Sequence, residues 1–385
     1  MRMARTMTRR KILRQHSTRR EVVTYTVGDE GAPEGHEAST RAEIARRLAE
    51  LAGFEYSGKF DPRARYDERP YFVPSDTLTS ATAAELRIDD AHDLFGGVVP
   101  TPFAARKTIT HPLVGDRAHA PDGWSATFAR FVADSVLPGF SAFSIRDALH
   151  AGRILLDQGA IRVKLGSGVA GIGQWVAHDA SELEAIIAAI DPAEITSAGV
   201  VIEQNLTDVA TKSIGNVRVG GLEASYCGVQ HLTRNNGGAE VYGGSELRFV
   251  RGGFDALLSL ELPTDMLLAI AQARVYDDAA DASFHGFFAS RRNYDVAQGA
   301  DSRGQHRSGV LEPSWRVGGA SGAEIAALAA FRADSSLRAV VAVSHEIYGD
   351  SEPVPESADV YFQGVDPHVG PLTKYTTIEH HADAR

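Results

Sequence analysis

The stretch from Ala160 to Ala177 constrains the chain more than any other. Ala160-Ile-Arg-Val-Lys164-Leu reads as a strand, Gly166-Ser167-Gly168-Val-Ala-Gly171-Ile-Gly173 follows, and Gln174-Trp-Val-Ala177 reads as a second strand. The spacing Gly166-x-Gly168-x-x-Gly171 is shared with dinucleotide-binding fingerprints. Those need the glycines to open a helix whose N-terminus holds the pyrophosphate. Here the next helix starts only near Ser181, so the unit is strand–glycine loop–strand and the Rossmann reading falls. A glycine-rich loop between antiparallel strands can instead fold over phosphates as a flap. Glycine lets backbone N–H groups come close and lets the loop open and shut. Lys164, near the end of the incoming strand, would supply a point charge to an α- or β-phosphate. The chain has six lysines against 33 arginines, so a lysine on an apolar strand stands out. On this loop alone, an ordinary hairpin with a solvated lysine fits equally well.

The rest of the chain alternates strand and helix, which makes the fold class α/β with α+β character. Val22–Val27 and Tyr71–Val73 read as strands. Thr40–Leu51 reads as a helix, with Thr40 and Glu43 spaced as a capping box. The prolines of Val98-Val-Pro-Thr-Pro102 break both helix and sheet and mark the end of a small N-terminal unit, residues 21–103. Further on come helices over Trp124–Val136 and from Ile145 to about Gln158, the latter with Ser144 and Asp147 as a capping pair. A helix follows from Ser181 to about Ile190, then a strand at Gly199–Gln204. Arg234-Asn-Asn-Gly-Gly238 to Gly244 is glycine- and asparagine-rich and predicts a long mobile loop, a candidate substrate cover. Later elements are a helix from Thr264 to about Asp278, strands at Phe284–Val296 and Gly309–Leu311, and a helix from Ala323 to about Arg332.

Composition narrows the setting. With 385 residues, 43% hydrophobic and 23% charged, the chain can bury a sizeable core and is not a disordered polymer. No apolar run approaches the ~18 residues of a membrane span. Cys227 is the single cysteine, so neither an internal disulfide nor a cysteine metal cluster can form, and a reducing, cytoplasmic setting is expected. Residues 1–20 carry eight Lys/Arg and no acid, which predicts a disordered basic tail. The remainder holds 31 basic against 50 acidic residues. That balance argues against nucleic-acid binding, which rests on neutralising phosphates.

A second polar cluster lies far downstream. Asn293-Tyr-Asp295 and Glu312-Pro-Ser314-Trp-Arg316 flank a polar turn that contains His306, so two paired strands would set Asp295 beside Glu312. Facing carboxylates are costly unless a cation sits between them, and Mg²⁺ favours such oxygens together with phosphate oxygens. Strand alternation aims Glu312, Ser314 and Arg316 into one space and turns Trp315 away to pack. A solvated polar strand face is the commoner fate of such a run by itself. Gly318-Gly-Ala-Ser321-Gly-Ala-Glu324 ends in a capping-box spacing that opens a helix. The histidines show no metal-ligand pairs at helical spacing, and Cys227 reads as a buried structural thiol.

Taken in order, these motifs resemble the ATP-grasp superfamily over roughly residues 100–330. The layout is similar to that of biotin carboxylases, and DUF3182-type proteins are the nearest kin it suggests. The resemblance implies an ATP-grasp fold behind an N-terminal α/β domain, with a small lid subdomain over residues 104–206 and a large subdomain over 207–385. It implies ATP and Mg²⁺ as cofactors. Lys107 and Lys164 would meet phosphates, and Gly166, Ser167, Gly168 and Gly171 would form the flap. Glu203, Gln204 and Leu206 would lie at the hinge that meets ribose and adenine. Asp295, Glu312 and Ser314 would be on the metal side, with Arg316 as the catalytic arginine. The family usually has Asn where Ser314 stands, which leaves one or two metals open. The implied activity is an ADP-forming carboxylate–amine or carboxylate–thiol ligase acting on small molecules. A phosphotransferase on the same fold and a nucleotide-binding protein without turnover stand as alternatives, and a homo-oligomer is left open.

Overall fold

The computed structural model describes residues 20–28, 35–168, 173–349 and 353–379. The basic tail expected to be disordered lies outside them except for Arg20, which is ion-paired with Asp93 at 2.6 Å. The N-terminal part begins with β1 (Glu21–Tyr25), α1 (His36–Ala52), β2 (Glu55–Lys59) and β3 (Tyr71–Pro74). Its three strands form a parallel sheet in the order β2-β1-β3. Helix α1 starts a turn before the expected capping box. The His36 N–H donates to Asp366 Oδ2 at 2.6 Å, so a carboxylate from the far end of the chain caps it. Glu43 instead pairs with Arg47 along the helix surface. A distant cap has displaced the local one, a contact that sequence spacing does not show.

Next come β4 (Leu78–Thr79), α2 (Ser80–Leu86), β5 (Gly97–Val99) and the short α3 (Ala126–Phe131). The expected helix over 124–136 is thus only six residues long, and a 3₁₀ turn at Ala133–Ser135 follows it. The segment expected as the lid holds β6 (Gly139–Ala142), α4 (Ile145–Leu156), β7 (Ile161–Leu165), β8 (Gln174–Ala177), α5 (Ala180–Ala189), α6 (Pro192–Ala198) and β9 (Val200–Gln204). Its strands run in the order β6-β9-β7-β8, antiparallel throughout. Ser144 caps α4 as read, its Oγ accepting from Asp147 N–H at 3.1 Å. Ala148, Ala151, Leu155, Leu183 and Ile187 from α4 and α5 pack on Ile161, Val163, Val200 and Ile202. That covers one face of the lid and leaves the other for Lys164 and Glu203.

The remaining strands are β10 (Thr207–Val219), β11 (Leu222–Arg234), β12 (Glu240–Arg251), β13 (Phe288–Ala289), β14 (Arg291–Ala300), β15 (His306–Ser314), β16 (Ala339–Tyr348), β17 (Asp359–Asp366) and β18 (Gly370–Glu379). The helices among them are α7 (Thr264–Ser283) and α8 (Ser321–Ala333). Eight of the strands form one sheet, β15-β14-β10-β11-β12-β16-β18-β17, while β13 joins β5. Helix α7 covers one face through Ala269, Ile270, Ala273 and Tyr276 on Ile214, Tyr294, Val296 and Val310. Helices α8 and α1 cover the other face at Val217, Tyr226, Leu247 and Phe249. Among the described residues no helix is long and apolar enough to cross a membrane.

The predicted loop over 234–244 is instead a hairpin. Strands β11 and β12 pair up to Arg234↔Glu240 across a short turn. Asn235 Oδ1 accepts from the N–H groups of Gly237 and Ala239, both at 3.0 Å. Asn236 Nδ2 reaches the Pro371 carbonyl at 2.9 Å. Paired backbone groups and an anchored tip overrode a composition that reads as mobile.

Candidate functional site

The lid contributes a closed polar triad. Alternation puts Lys164 of β7 and Glu203 of β9 on the face that α4 and α5 leave bare. Lys164 Nζ lies 2.5 Å from Glu203 Oε1, and Nε2 of the fully buried His111 lies 3.0 Å from Oε2. Burial alone would raise the Glu203 carboxyl. The Lys164 ammonium and the His111 hydrogen bond more than offset this and hold it down at about 2. Both oxygens of Glu203, expected at the ribose side of the hinge, therefore have partners inside the protein. Gln204 alternates to the helix-covered face beside Ile202, and its Oε1 is buried without a hydrogen-bond partner. The Gln204 N–H donates to Pro138 O at 2.8 Å. Leu206 packs with Leu137 and Ala297 where lid and large sheet meet, an apolar floor beside the hinge.

Between β7 and β8 the glycine loop is the expected strand–loop–strand, with Lys164 paired to Gln174. Gly166 N–H donates to Gly199 O at 2.9 Å, and a Cβ at 166 would lie 2.1 Å from Ala198 O. Only glycine fits that approach. Ser167 Oγ is bonded to Glu194 of α6, and Gly168 O accepts from Lys107 Nζ at 2.6 Å. Gly171 lies outside the described residues.

Lys107 links the loop to the large sheet. It is buried, and its Nζ also lies 2.8 Å from Glu312 Oε2. Glu312 of β15 is directly opposite Asp295 of β14, and the register shifts immediately beyond them. Asp295 Oδ1 accepts from Asn293 Nδ2 at 2.9 Å and from Ser213 Oγ at 3.2 Å. Gln230 Nε2 in turn donates to Ser213 Oγ at 2.8 Å. Burial and then the facing Glu312 charge push the Asp295 carboxyl above its ordinary value, against the pull of these hydrogen bonds. Ser314 faces the same way, but its Oγ accepts from Arg291 Nη1 at 3.1 Å. Arg316, just past β15, is one-third exposed and has its Nε 3.6 Å from Asp76 Oδ1. Trp315 is buried on the opposite face, where its Nε1 donates to Tyr294 OH at 3.1 Å.

Two elements escaped the sequence. His111 was one of fourteen scattered histidines, and only the fold sets it on Glu203. The other is a buried network under the metal-side strands. Arg291 and Glu324 pair at 2.9 Å, Tyr226 OH donates to Glu324 Oε1 at 2.7 Å, and Arg291 Nη1 donates to Ser314 O at 3.0 Å. Glu324 therefore does not complete a capping box. Its carboxylate answers a buried guanidinium instead, and Ser321 Oγ accepts from Gly318 N–H at 3.0 Å. His306 and Cys227 take structural places, an exposed strand start and a buried thiol.

Among the described residues no three His, Cys, Asp or Glu side chains converge on one point. A cation here would rest on Asp295, Glu312 and oxygens that a nucleotide brings. Two facing carboxylates, one with a raised carboxyl, suit that role because a cation would relieve their repulsion.

Solved structures give the fold independently. The chain is similar to a carboxyaminoimidazole ribonucleotide synthase from Aspergillus clavatus complexed with ATP, at 11% identity and TM-score 0.51 over 94% of each chain. It is similar also to a phosphoribosylamine–glycine ligase from Thermotoga maritima, at 14% identity and TM-score 0.50 over 93% of this chain and 92% of that one. A biotin carboxylase from Campylobacter jejuni aligns at 10% identity and TM-score 0.50, over 93% and 87%. These are ATP-grasp proteins, and the fold is ATP-grasp. No curated protein matches the sequence. The family model described as "Protein of unknown function (DUF3182)" matches residues 23–376. The chain therefore belongs to the DUF3182 family.

Proposed function

We propose that the protein is an Mg²⁺-dependent, ADP-forming ligase that activates a small-molecule carboxylate as an acyl phosphate for attack by a second substrate. The observation that carries this reading is the meeting of Lys107, Glu312, Asp295 and the glycine loop at one seam. Phosphoryl transfer depends mainly on positioning and charge, and two buried lysines and a carboxylate pair beside the glycine loop support that reading. Bound Mg²⁺ would supply charge neutralisation on the β- and γ-phosphate oxygens, held by Asp295 and Glu312. Ser314, whose hydroxyl faces Arg291, would sit behind them and support the strand.

Lys107 and Lys164 would neutralise the remaining phosphate oxygens. Both are already desolvated and aimed, which raises the electrostatic value of each. Gly166, Ser167, Gly168 and Gly171 would close over the phosphates and exclude water. The main chain of 204–206 and the Leu206 floor would receive the base. Arg316, whose side chain is one-third exposed, would hold the carboxylate or the developing charge on the transferred group.

Product analysis tests the proposal. Incubation with Mg·ATP and pooled small carboxylates and amines is expected to release ADP and free phosphate in equal amounts, together with a condensed product. ADP with a stable phosphorylated product would make the protein a phosphotransferase. Tight ATP binding with neither product would leave a binding protein.

A further inference from the structure

Among the described residues Arg316 has one ion-pair partner, Asp76, and it comes from the N-terminal part of the chain. Strands β1 and β3 run parallel, and ligands of open α/β sheets gather at the carboxyl ends of such strands. At that end β3 runs into Ser75-Asp76-Thr77. Ser75 is tied to β1, its N–H donating to Tyr25 O at 2.8 Å and its Oγ accepting from Val27 N–H at 2.9 Å. Thr77 is tied to the large sheet, its buried Oγ1 donating to Trp315 O at 3.2 Å. The wall beside them is equally fixed, since a Cβ on Gly97 would lie 2.9 Å from Trp315 Cβ.

Asp76 is thus presented between two pinned residues. Its Oδ1 accepts from Thr77 N–H at 2.8 Å and lies 3.6 Å from Arg316 Nε, and its side chain remains 49% exposed. At that separation and exposure the pair adds little to folding. What it does is place an anion and a cation side by side, both open to solvent, at the seam of the two sheets.

We infer that Asp76 is the subsite for the nucleophile, and that the nucleophile is an amine arriving as an ammonium ion. This deepens the ligase reading and rests on it. Arg316 would hold the carboxylate-derived group, and Asp76, next to it, attracts a cation while repelling a thiolate, phosphate or second carboxylate. Attack forms the C–N bond and breaks the bond from acyl carbon to phosphate oxygen, and phosphate leaves with the electron pair. Of the two protons the nitrogen gives up, one ends on the phosphate and the other passes by way of Asp76 to solvent.

Thermal unfolding of the full chain in the presence of a Mg·ATP analogue tests the subsite without knowing the natural substrate. The probes are ethanolamine, β-alanine and putrescine, each against its hydroxyl counterpart: ethylene glycol, 3-hydroxypropionate and 1,4-butanediol. The expected result is a further rise of about 1 °C or more with at least one amine and none with its counterpart. Asp76→Asn should abolish that amine-dependent rise while keeping the rise due to the nucleotide. Asp76→Glu, which keeps the charge, should restore part of it. A nucleotide rise without any amine rise, or an amine rise that survives in Asp76→Asn, overturns the amine subsite alone. No nucleotide rise in the parent protein overturns the ligase reading as well.

Discussion

Two carboxylates of the expected site live in opposite surroundings. Glu203, on the lid, has a lysine on one oxygen and a histidine on the other, and its carboxyl is held down at about 2. Asp295, on the large sheet, has only neutral donors and faces another carboxylate, which with burial pushes its carboxyl up. One is a completed ion pair that positions a lysine. The other is an uncompensated charge in a well-hydrogen-bonded cradle, the arrangement expected where a cation is to bind. Stability should therefore depend on the first and activity on the second.

The largest effect on folding should come from Glu203→Gln. It leaves the buried Lys164 charge without its counter-ion, and breaking such a pair costs about 3–5 kcal/mol. Urea unfolding measures it, and a loss no greater than that of a surface substitution would erase the distinction between the two carboxylates. Next, Glu312→Gln should lower ATP turnover by a factor on the order of 10²–10³ while nucleotide still binds. Parent-level turnover in that variant would remove the metal-side assignment. The pH dependence sharpens the contrast. Because the folded Glu203 carboxyl is depressed from 4.5 to about 2, its contribution is present above 4.5 and lost as pH falls toward 2. Acid titration of stability should show a component in that window that is absent from Glu203→Gln. The smallest effect should be that of Asp295→Asn on folding, which removes one of two facing charges. Its stability should equal or exceed the parent's by up to about 1 kcal/mol, measured by the same unfolding curves.

Only the Asp295 half of this contrast could be read before the fold was known, since the sequence set Glu203 at the ribose side of the hinge, and the reasons differ by residue. Lys164, the glycine loop, Asp295 and Glu312 were legible because local rules govern them: a strand followed by glycines, and alternation along two strands joined by a turn. The partners were not. His111 reaches Glu203 across 92 positions. Asp366 caps α1 across 330. Nothing in local spacing records such contacts. Arg234 to Gly244 misled because glycine and asparagine signal a loop, whereas here the segment is a short turn and the ends of two strands paired through their backbones. Glu324 misled for the converse reason. Its capping-box spacing was real, but a buried guanidinium offered the carboxylate a stronger partner than a helix N-terminus could.

Asp295 and Glu312 are proposed to hold one divalent cation together with the nucleotide. Manganese, titrated in place of magnesium into the protein with a non-hydrolysable ATP analogue and followed by electron paramagnetic resonance, tests it most directly. The expected result is a bound-Mn²⁺ signal that requires the nucleotide, with Mn²⁺ affinity weakened at least tenfold in both Asp295→Asn and Glu312→Gln and analogue binding retained. An unchanged Mn²⁺ affinity in either variant would contradict it.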